Sequence, residues 1–290
     1  MITASTIKHL RFPFSFFLMP VYLFALSSSM EIDVFKSVAS FILIHLFIYP
    51  ASNGYNSYFD KDEGSIGGLK TPPPVKKDLY YTSILMDLMA VIAGGLLIHW
   101  QFSIMLLIYG LISKAYSHPD IRLKKMPVMG WLVIGLFQGF FTFIMSWMAI
   151  TNSTLNDLYG NLPIIYAALL SSLLLWGSYP MTQIYQHNED SKRGDITLSL
   201  KLGLLGTFHF TGILFTMAMG GFVWYFKSYY SWSTVIFFIS FLSPVLIFFI
   251  LWYLKALKDR TSINYENTMR LNFISSLCLN LVFSLIAIYY

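Results

Sequence analysis

The residues best suited to chemistry in this 290-residue chain stand in two short, distant stretches. The first runs Asn53-Gly-Tyr-Asn56-Ser-Tyr-Phe-Asp60-Lys-Asp62-Glu63-Gly64 and follows an apolar run over residues 34–51. On a helix of about 3.6 residues per turn, Asn56, Asp60 and Glu63 share one face, while Asp62 points away from it. The second holds Gln183, Gln186, His187 and Asp190, with Glu189 beside them, and follows the apolar run 163–182. That spacing also makes one helical face. Oxygen ligands gathered at the ends of apolar helices suit Mg2+, a hard cation held by one or two carboxylates together with substrate phosphates. The two stretches read as halves of one site.

The elements that must position them are membrane helices. Hydrophobic residues make up 56% of the chain, charged residues 11%, and the mean hydropathy is +0.63; soluble domains carry about 25% charged residues. Apolar stretches fall at 12–30, 34–51, 79–98, 102–116, 128–150, 162–182, 203–226, 232–254 and 271–289. They give nine candidate spans, several near the ~20 residues that a bilayer core requires, with 102–116 the shortest. The first has Lys8 and Arg11 before it and Ser27, Ser28 and Ser29 after it, the outline of a signal peptide. No small-x-small cleavage site stands out, so it reads as a retained span.

Charge placement tests this count. With the N-terminus inside, seventeen of the 19 Lys and Arg residues fall on one side, and only Lys36 and Lys227 fall on the other. So strong a bias follows the positive-inside rule and puts the N-terminus and both polar stretches on the cytoplasmic face, with the C-terminus opposite. In a bacterium the membrane would be the inner one. The net charge of +5 is thereby a matter of topology, and no nucleic-acid partner is expected. The single cysteine, Cys278, excludes an intrachain disulfide and reads as a small apolar residue in the last span.

Other polar residues read more plainly. Lys70-Thr-Pro-Pro-Pro-Val-Lys-Lys77 is a stiff extended loop whose lysines serve topology and lipid headgroups. Lys192 and Asp195 belong to a solvated loop of mixed charge. Asp87 lies about nine residues inside the third span, where an ionisable group is expensive and commonly functional. His45 reads as a packing histidine. His99, His118 and His209 lack paired ligand spacing, which gives no support for zinc.

Several pieces together carry a family resemblance. They are Asn56-Ser-Tyr-Phe-Asp60 after the second span, the loop Tyr116-Ser-His-Pro-Asp-Ile-Arg122-Leu-Lys124, and Asp190 followed by Gly194-Asp-Ile-Thr197-Leu198 and Lys201-Leu-Gly203. In order and spacing the chain resembles the UbiA superfamily of intramembrane prenyltransferases over nearly its whole length. The resemblance implies a single all-α domain over residues 1–290, about nine helices around a central cavity opening at the cytoplasmic face. It implies Mg2+-dependent transfer of a prenyl group from a prenyl diphosphate to a lipophilic acceptor. Asp60 and Asp190 would be catalytic. Asn56, Asp60 and Glu63 would hold one Mg2+, and Asp190 with Gln186 or Glu189 another. Arg122, Lys124, Arg193 and Asn53 would contact the diphosphate, Arg by bidentate geometry and Lys as a point charge.

The departures from the family pattern are specific. Gly64 stands where the first motif usually has a further Asp, as in members resembling the 1,4-dihydroxy-2-naphthoate branch, and Gln186 replaces the first Asp of the second motif. The naphthoate-like motif favours an aromatic or quinone-precursor acceptor. Two other readings stay open: a terpene cyclase of the same superfamily, whose cation is captured by the substrate's own double bonds, and a transporter with repeated broken helices. Oligomeric state is not legible.

Overall fold

The computed structural model describes residues 2–289. Thirteen α-helices are joined by short 3-10 and π segments: α1 (Ala4–Leu10), α2 (Met19–Ser27), α3 (Val34–Ile42), α4 (Tyr49–Asp60), α5 (Asp78–Leu97), α6 (Trp100–Ser117), α7 (Pro127–Gly135), α8 (Thr142–Ile150), α9 (Leu162–Gln183), α10 (His187–Arg193), α11 (Leu198–Tyr229), α12 (Trp232–Lys258) and α13 (Tyr265–Tyr289). Among the described residues, eight segments are long and apolar enough to cross a bilayer: 4–27, 34–60, 78–97, 127–150, 162–183, 198–229, 232–258 and 265–289. The sequence leads one to expect nine. The ninth place is taken by α6, which folds back on α5 across the link 98–99 and falls short of the other spans in apolarity. His99 makes that tight link by capping α6, its Nδ1 accepting from the backbone N–H groups of Gln101 and Phe102.

The connections gather at the two ends of the bundle. At one end, Asp33 N–H donates to Ile150 C=O at 2.7 Å, His99 contacts Ser153 C=O at 2.9 Å, and Tyr230 hydroxyl donates to Ser27 C=O at 2.7 Å. The other end carries 61–77, 118–126, 184–197 and 259–264, tied together by Gln186 to Ser65 C=O and by Lys70 to Glu266. The stiff Pro loop lies against α1, where His9 Nε2 contacts Pro73 C=O at 2.8 Å. Lys36 and Lys227 lie near the first end; both polar motifs lie at the second.

Lipid offers no hydrophobic drive for helix association, so close packing must hold the bundle. Gly139 is the tightest approach to a neighbouring backbone: a Cβ there would lie 2.4 Å from Ser172 Cα. The span 127–150 also loosens into a π segment over 136–141. The Ser172 hydroxyl bridges there, accepting from Phe140 N–H at 2.8 Å and donating to Gly135 C=O at 2.8 Å. Asp87 is met inside the bundle by Lys114, both largely buried, so its charge is paired. His45 is enclosed by Phe41, Tyr22 and Tyr49, with Nδ1 3.1 Å from Phe41 C=O.

The first motif departs from a continuous helix. Helix α4 ends at Asp60 because Lys61 adopts a left-handed conformation, φ 49°. Glu63 therefore leaves the face shared by Asn56 and Asp60 and lies exposed. Asp62, expected to point away, is instead turned inward. The second motif is broken as well. Helix α9 stops at Gln183, and α10 begins anew after Gln186, so Gln183, Gln186, His187 and Asp190 do not share one helical face. His187 turns aside to the Ser199 hydroxyl at 2.8 Å.

Candidate active site

Helix α4 supplies Asn53, Asn56 and Asp60; the loop after α6 supplies Arg122 and Lys124; α10 and the turn after it supply Asp190, Arg193 and Asp195. Asn56 Nδ2 donates to Asp60 Oδ2 at 3.0 Å, the i,i+4 geometry that places both on one face. Asp60 Oδ1 receives Lys124 and, at 3.5 Å, Arg122. Arg122 is presented by a left-handed turn, φ 45°, and grips Asp195 through two bonds of 2.8 Å. Arg193 reaches Asp62 and donates to Asp190 Oδ1 at 3.0 Å. Asp195 is buried, 1% exposed, and does not belong to a solvated loop. Lys192 alone keeps that character.

The local sequence explains how Asp190 is held. Gly194 ends α10 in a left-handed conformation, φ 70°. Three residues later Thr197 caps α11, accepting from Leu200 N–H, and donates its hydroxyl to Asp190 Oδ2 at 3.3 Å. The Gly-x-x-Thr spacing is thus a stop and a start that fix one carboxylate.

Asp60, Asp62, Asp190, Lys124 and Arg193 line one cleft of about 210 Å3, together with Asn53, Asn56, Gln183 and Gln186. Arg122 acts behind this wall, through Asp195 and Asp60. Glu63 and Glu189 are outside the lining. The sequence reading missed Arg11, a further member of the cleft, whose guanidinium lies 5.2 Å from the Phe14 ring centre and donates to Gly67 C=O and Asn53 Oδ1. No carboxylate contacts it among the described residues, unlike Arg122 and Arg193. Its left-handed conformation, φ 49°, ends α1 and aims it inward, and no spacing rule reveals that.

The electrostatics follow from crowding. Burial pushes the Asp190 carboxyl up to about 6, against the opposing pull of Arg193. Burial and the neighbouring Asp60 raise Asp62. Burial would raise Asp195 too, but the Arg122 bonds and nearby Lys124 hold it low. Burial depresses Lys124 despite Asp60, whereas the Asp195 bond keeps Arg122 firmly charged.

A raised carboxyl favours folding below its unfolded value of 3.8, and that contribution is lost as pH climbs to about 6. Asp190→Asn escapes the loss. Its unfolding free energy should equal the parent's at pH 4 and exceed it above pH 7, by up to ~3 kcal/mol at ~1.4 kcal/mol per pKa unit. Thermal unfolding across that range checks this.

The residues also suit a hard cation. Asn56 Oδ1, Gln183 Oε1 and Glu189 Oε2 are buried oxygen acceptors without a donor, and the Asn53 amide is a buried donor without an acceptor. Glu189 has a further peculiarity: a Cβ on Gly64 would lie 1.8 Å from its Oε1, so the glycine makes room for that carboxylate. No three acids, His or Cys converge as a closed cage among the described residues. Mg2+ rarely uses one, since it shares its coordination with substrate phosphates and waters.

The profile of the UbiA prenyltransferase family matches residues 16–277. The chain belongs to that family. As a UbiA prenyltransferase it is an integral membrane protein of a class that transfers prenyl groups. Among curated proteins, none matches it. Solved structures share its fold at low identity. A UbiA homolog from Archaeoglobus fulgidus bound to GPP and Mg2+ is 17% identical over 98% of this chain and 99% of that one, TM-score 0.68. The same homolog bound to DMAPP and Mg2+ is 16% identical over 99% and 100%, TM-score 0.68. A digeranylgeranylglyceryl phosphate synthase is 21% identical over 99% and 98%, TM-score 0.61.

Proposed function

We propose that this UbiA prenyltransferase moves a prenyl group from its diphosphate to a lipophilic acceptor with the help of Mg2+, and that the acceptor is aromatic or a quinone precursor. One observation carries the reading. Acids and bases from two distant motifs line a single polar cleft, and five of its side chains, Phe14, Ile134, Gln138, Tyr179 and Thr182, also line an apolar cavity of about 1230 Å3. A charged head and a long greasy tail fit such a pair of spaces.

Asn56, Asp60 and Asp190 would hold the metal, with Gln186 beside them. When bound, Mg2+ neutralises the negative charge that grows on the diphosphate as its C–O bond breaks. Lys124, Arg193 and Arg11 would hold phosphate oxygens, and Arg122 would keep Asp60 and Asp195 in place. The Asn53 amide adds a neutral donor. The allylic cation forms where cleft and cavity join, against Tyr179 and Gln138. Apolar walls there keep water from reaching the cation before the acceptor does. The cleft faces the cytoplasm in this reading, because the basic loops share its end of the bundle.

The test is purified protein with Mg2+, prenyl diphosphates and a panel of phenolic, naphthoic and glycerol-type acceptors. Acceptor-dependent release of diphosphate with a prenylated aromatic product is expected. A cyclic hydrocarbon or alcohol formed without acceptor would instead assign the chain to terpene cyclisation.

A further inference from the structure

We propose that Asn272 and Ser275 on α13 form a neutral hydrogen-bonding site that grips a ring hydroxyl of the acceptor, so that the chain takes an un-ionised phenol or quinol in preference to a carboxylate or phosphate ester. This rests on the acceptor meeting the donor beside the cleft, as read above.

Ten polar side chains line the apolar cavity, and the protein itself satisfies all but two of them. Ser171, Ser178, Thr182 and Thr216 turn their hydroxyls back to carbonyls of the preceding turn of their own helices. Ser276 donates to Phe17 C=O at 3.5 Å, and His209 Nε2 lies 2.7 Å from the Tyr253 hydroxyl. Gln138 bonds the Tyr109 hydroxyl, and Tyr179 is held by Tyr116 and Gln183. The Asn272 amide and the Ser275 hydroxyl have no partner among the described residues.

The two stand three residues apart on one helix and both line the cavity, so they occupy adjacent turns of one face. Lipid does not satisfy them. The same wall carries Ile213 and Met217 of α11 and Leu246 and Ile250 of α12, 45% to 62% exposed, so the space opens toward the bilayer. Acyl chains offer no hydrogen bond, and an amide or hydroxyl left unpaired in such surroundings is costly. An oxygen on a bound molecule relieves that cost.

The chemistry of the pair sets the class of that molecule. An asparagine amide brings two donors and an acceptor, and a serine hydroxyl donates once and accepts. Together they can accept from a phenolic O–H and donate to its oxygen. They bring no positive charge, and no Lys or Arg lines the cavity among the described residues. A carboxylate or phosphate placed there would lose its hydration without gaining a counter-charge. The position suits transfer. Met269 lines the polar cleft, and Asn272 follows it by three residues, ~4.5 Å along the axis at ~1.5 Å per residue. A ring anchored at Asn272 lies beside the joint of cleft and cavity, where the reaction above places the cation.

The experiment reads binding without turnover. The unfolding temperature of the detergent-solubilised protein, saturated with Mg2+ and inorganic diphosphate, is followed during titration with 1-naphthol, 1-naphthoate or naphthalene. Naphthol should bind at least about tenfold more tightly than naphthalene, and naphthoate no more tightly than naphthalene. In Asn272→Leu, similar in size and apolar, the preference for naphthol should shrink to about twofold or less, with naphthalene still bound. Ser275→Ala should lose about threefold or more of the same preference. In steady-state transfer to naphthol, Asn272→Leu should raise the acceptor KM by about tenfold and leave the donor KM unchanged. Should Asn272→Leu fail to fold, Ser275→Ala is read in its place. A naphthol preference unmoved in the variants, naphthoate bound as tightly as naphthol, or no naphthol binding, each with the Mg2+–diphosphate shift intact, overturns the oxygen site alone. Absence of that shift, or a cyclic product formed without acceptor, overturns the proposed function and this site with it.

Discussion

Replacing Asp60 with asparagine is expected to abolish prenyl transfer, with kcat/KM down at least about a thousandfold. Loss of one preorganised electrostatic partner costs ~100- to 1000-fold in other sites. Asp60 does more than that, because it also orders Lys124 and is itself ordered by Asn56. The choice of variant matters. Side chains of Asp60 and Lys124 are 6% and 8% exposed, and alanine would leave the ammonium buried without a counter-ion. Such a broken pair destabilises by ~3–5 kcal/mol, so Asp60→Ala alone would confuse activity with folding. The amide introduced by Asp60→Asn keeps the side chain's shape and one acceptor oxygen for the ammonium. Turnover with Mg2+ is the first readout, and loss of Mg2+-dependent protection against unfolding is the second. Asp190→Asn should behave alike in turnover while folding at least as well as the parent. Undiminished turnover in both variants would remove the proposed site.

Gly139→Leu is expected to prevent the bundle from assembling. A Cβ at this position meets Ser172 Cα at 2.4 Å and Ser172 N at 2.6 Å, both backbone atoms that cannot rotate aside. The span 127–150 and helix α9 would have to separate, and the Ser172 hydroxyl would lose Phe140 N–H and Gly135 C=O together. Overpacking of this kind, with two backbone groups unsatisfied in lipid, costs more than ~4 kcal/mol. Gly206→Ala is the control, since its Cβ would find only Leu202 Cβ at 3.4 Å. Monodisperse elution and a thermal midpoint near the parent's are expected for the control, and aggregation for Gly139→Leu.

Hydropathy alone made the bundle legible, because a lipid-facing helix must be apolar over its whole length. It marked α6 least strongly, because Lys114 and Gln101 dilute a helix packed against α5. The two motifs were legible as types and order. Their geometry was not, because left-handed residues at Arg11, Lys61 and Arg122 redirect the chain and none of them is glycine. Periodicity therefore carried the α4 helix three residues too far, to Glu63, and turned Asp62 outward. Asp195 read as solvated because its partner Arg122 lies 73 residues away. The π segments at 43–48 and 136–141 leave no mark in composition.

The carboxylates of the cleft grip the same cations that a diphosphate would use: Asp60 holds Lys124, and Asp62 with Asp190 holds Arg193. In the proposed reaction each turnover would therefore end in an internal competition, the spent leaving group being traded back for native counter-charges already tethered a few ångströms away. On that reading, eviction of product would come with the fold, at the expense of a tighter grip on the incoming substrate.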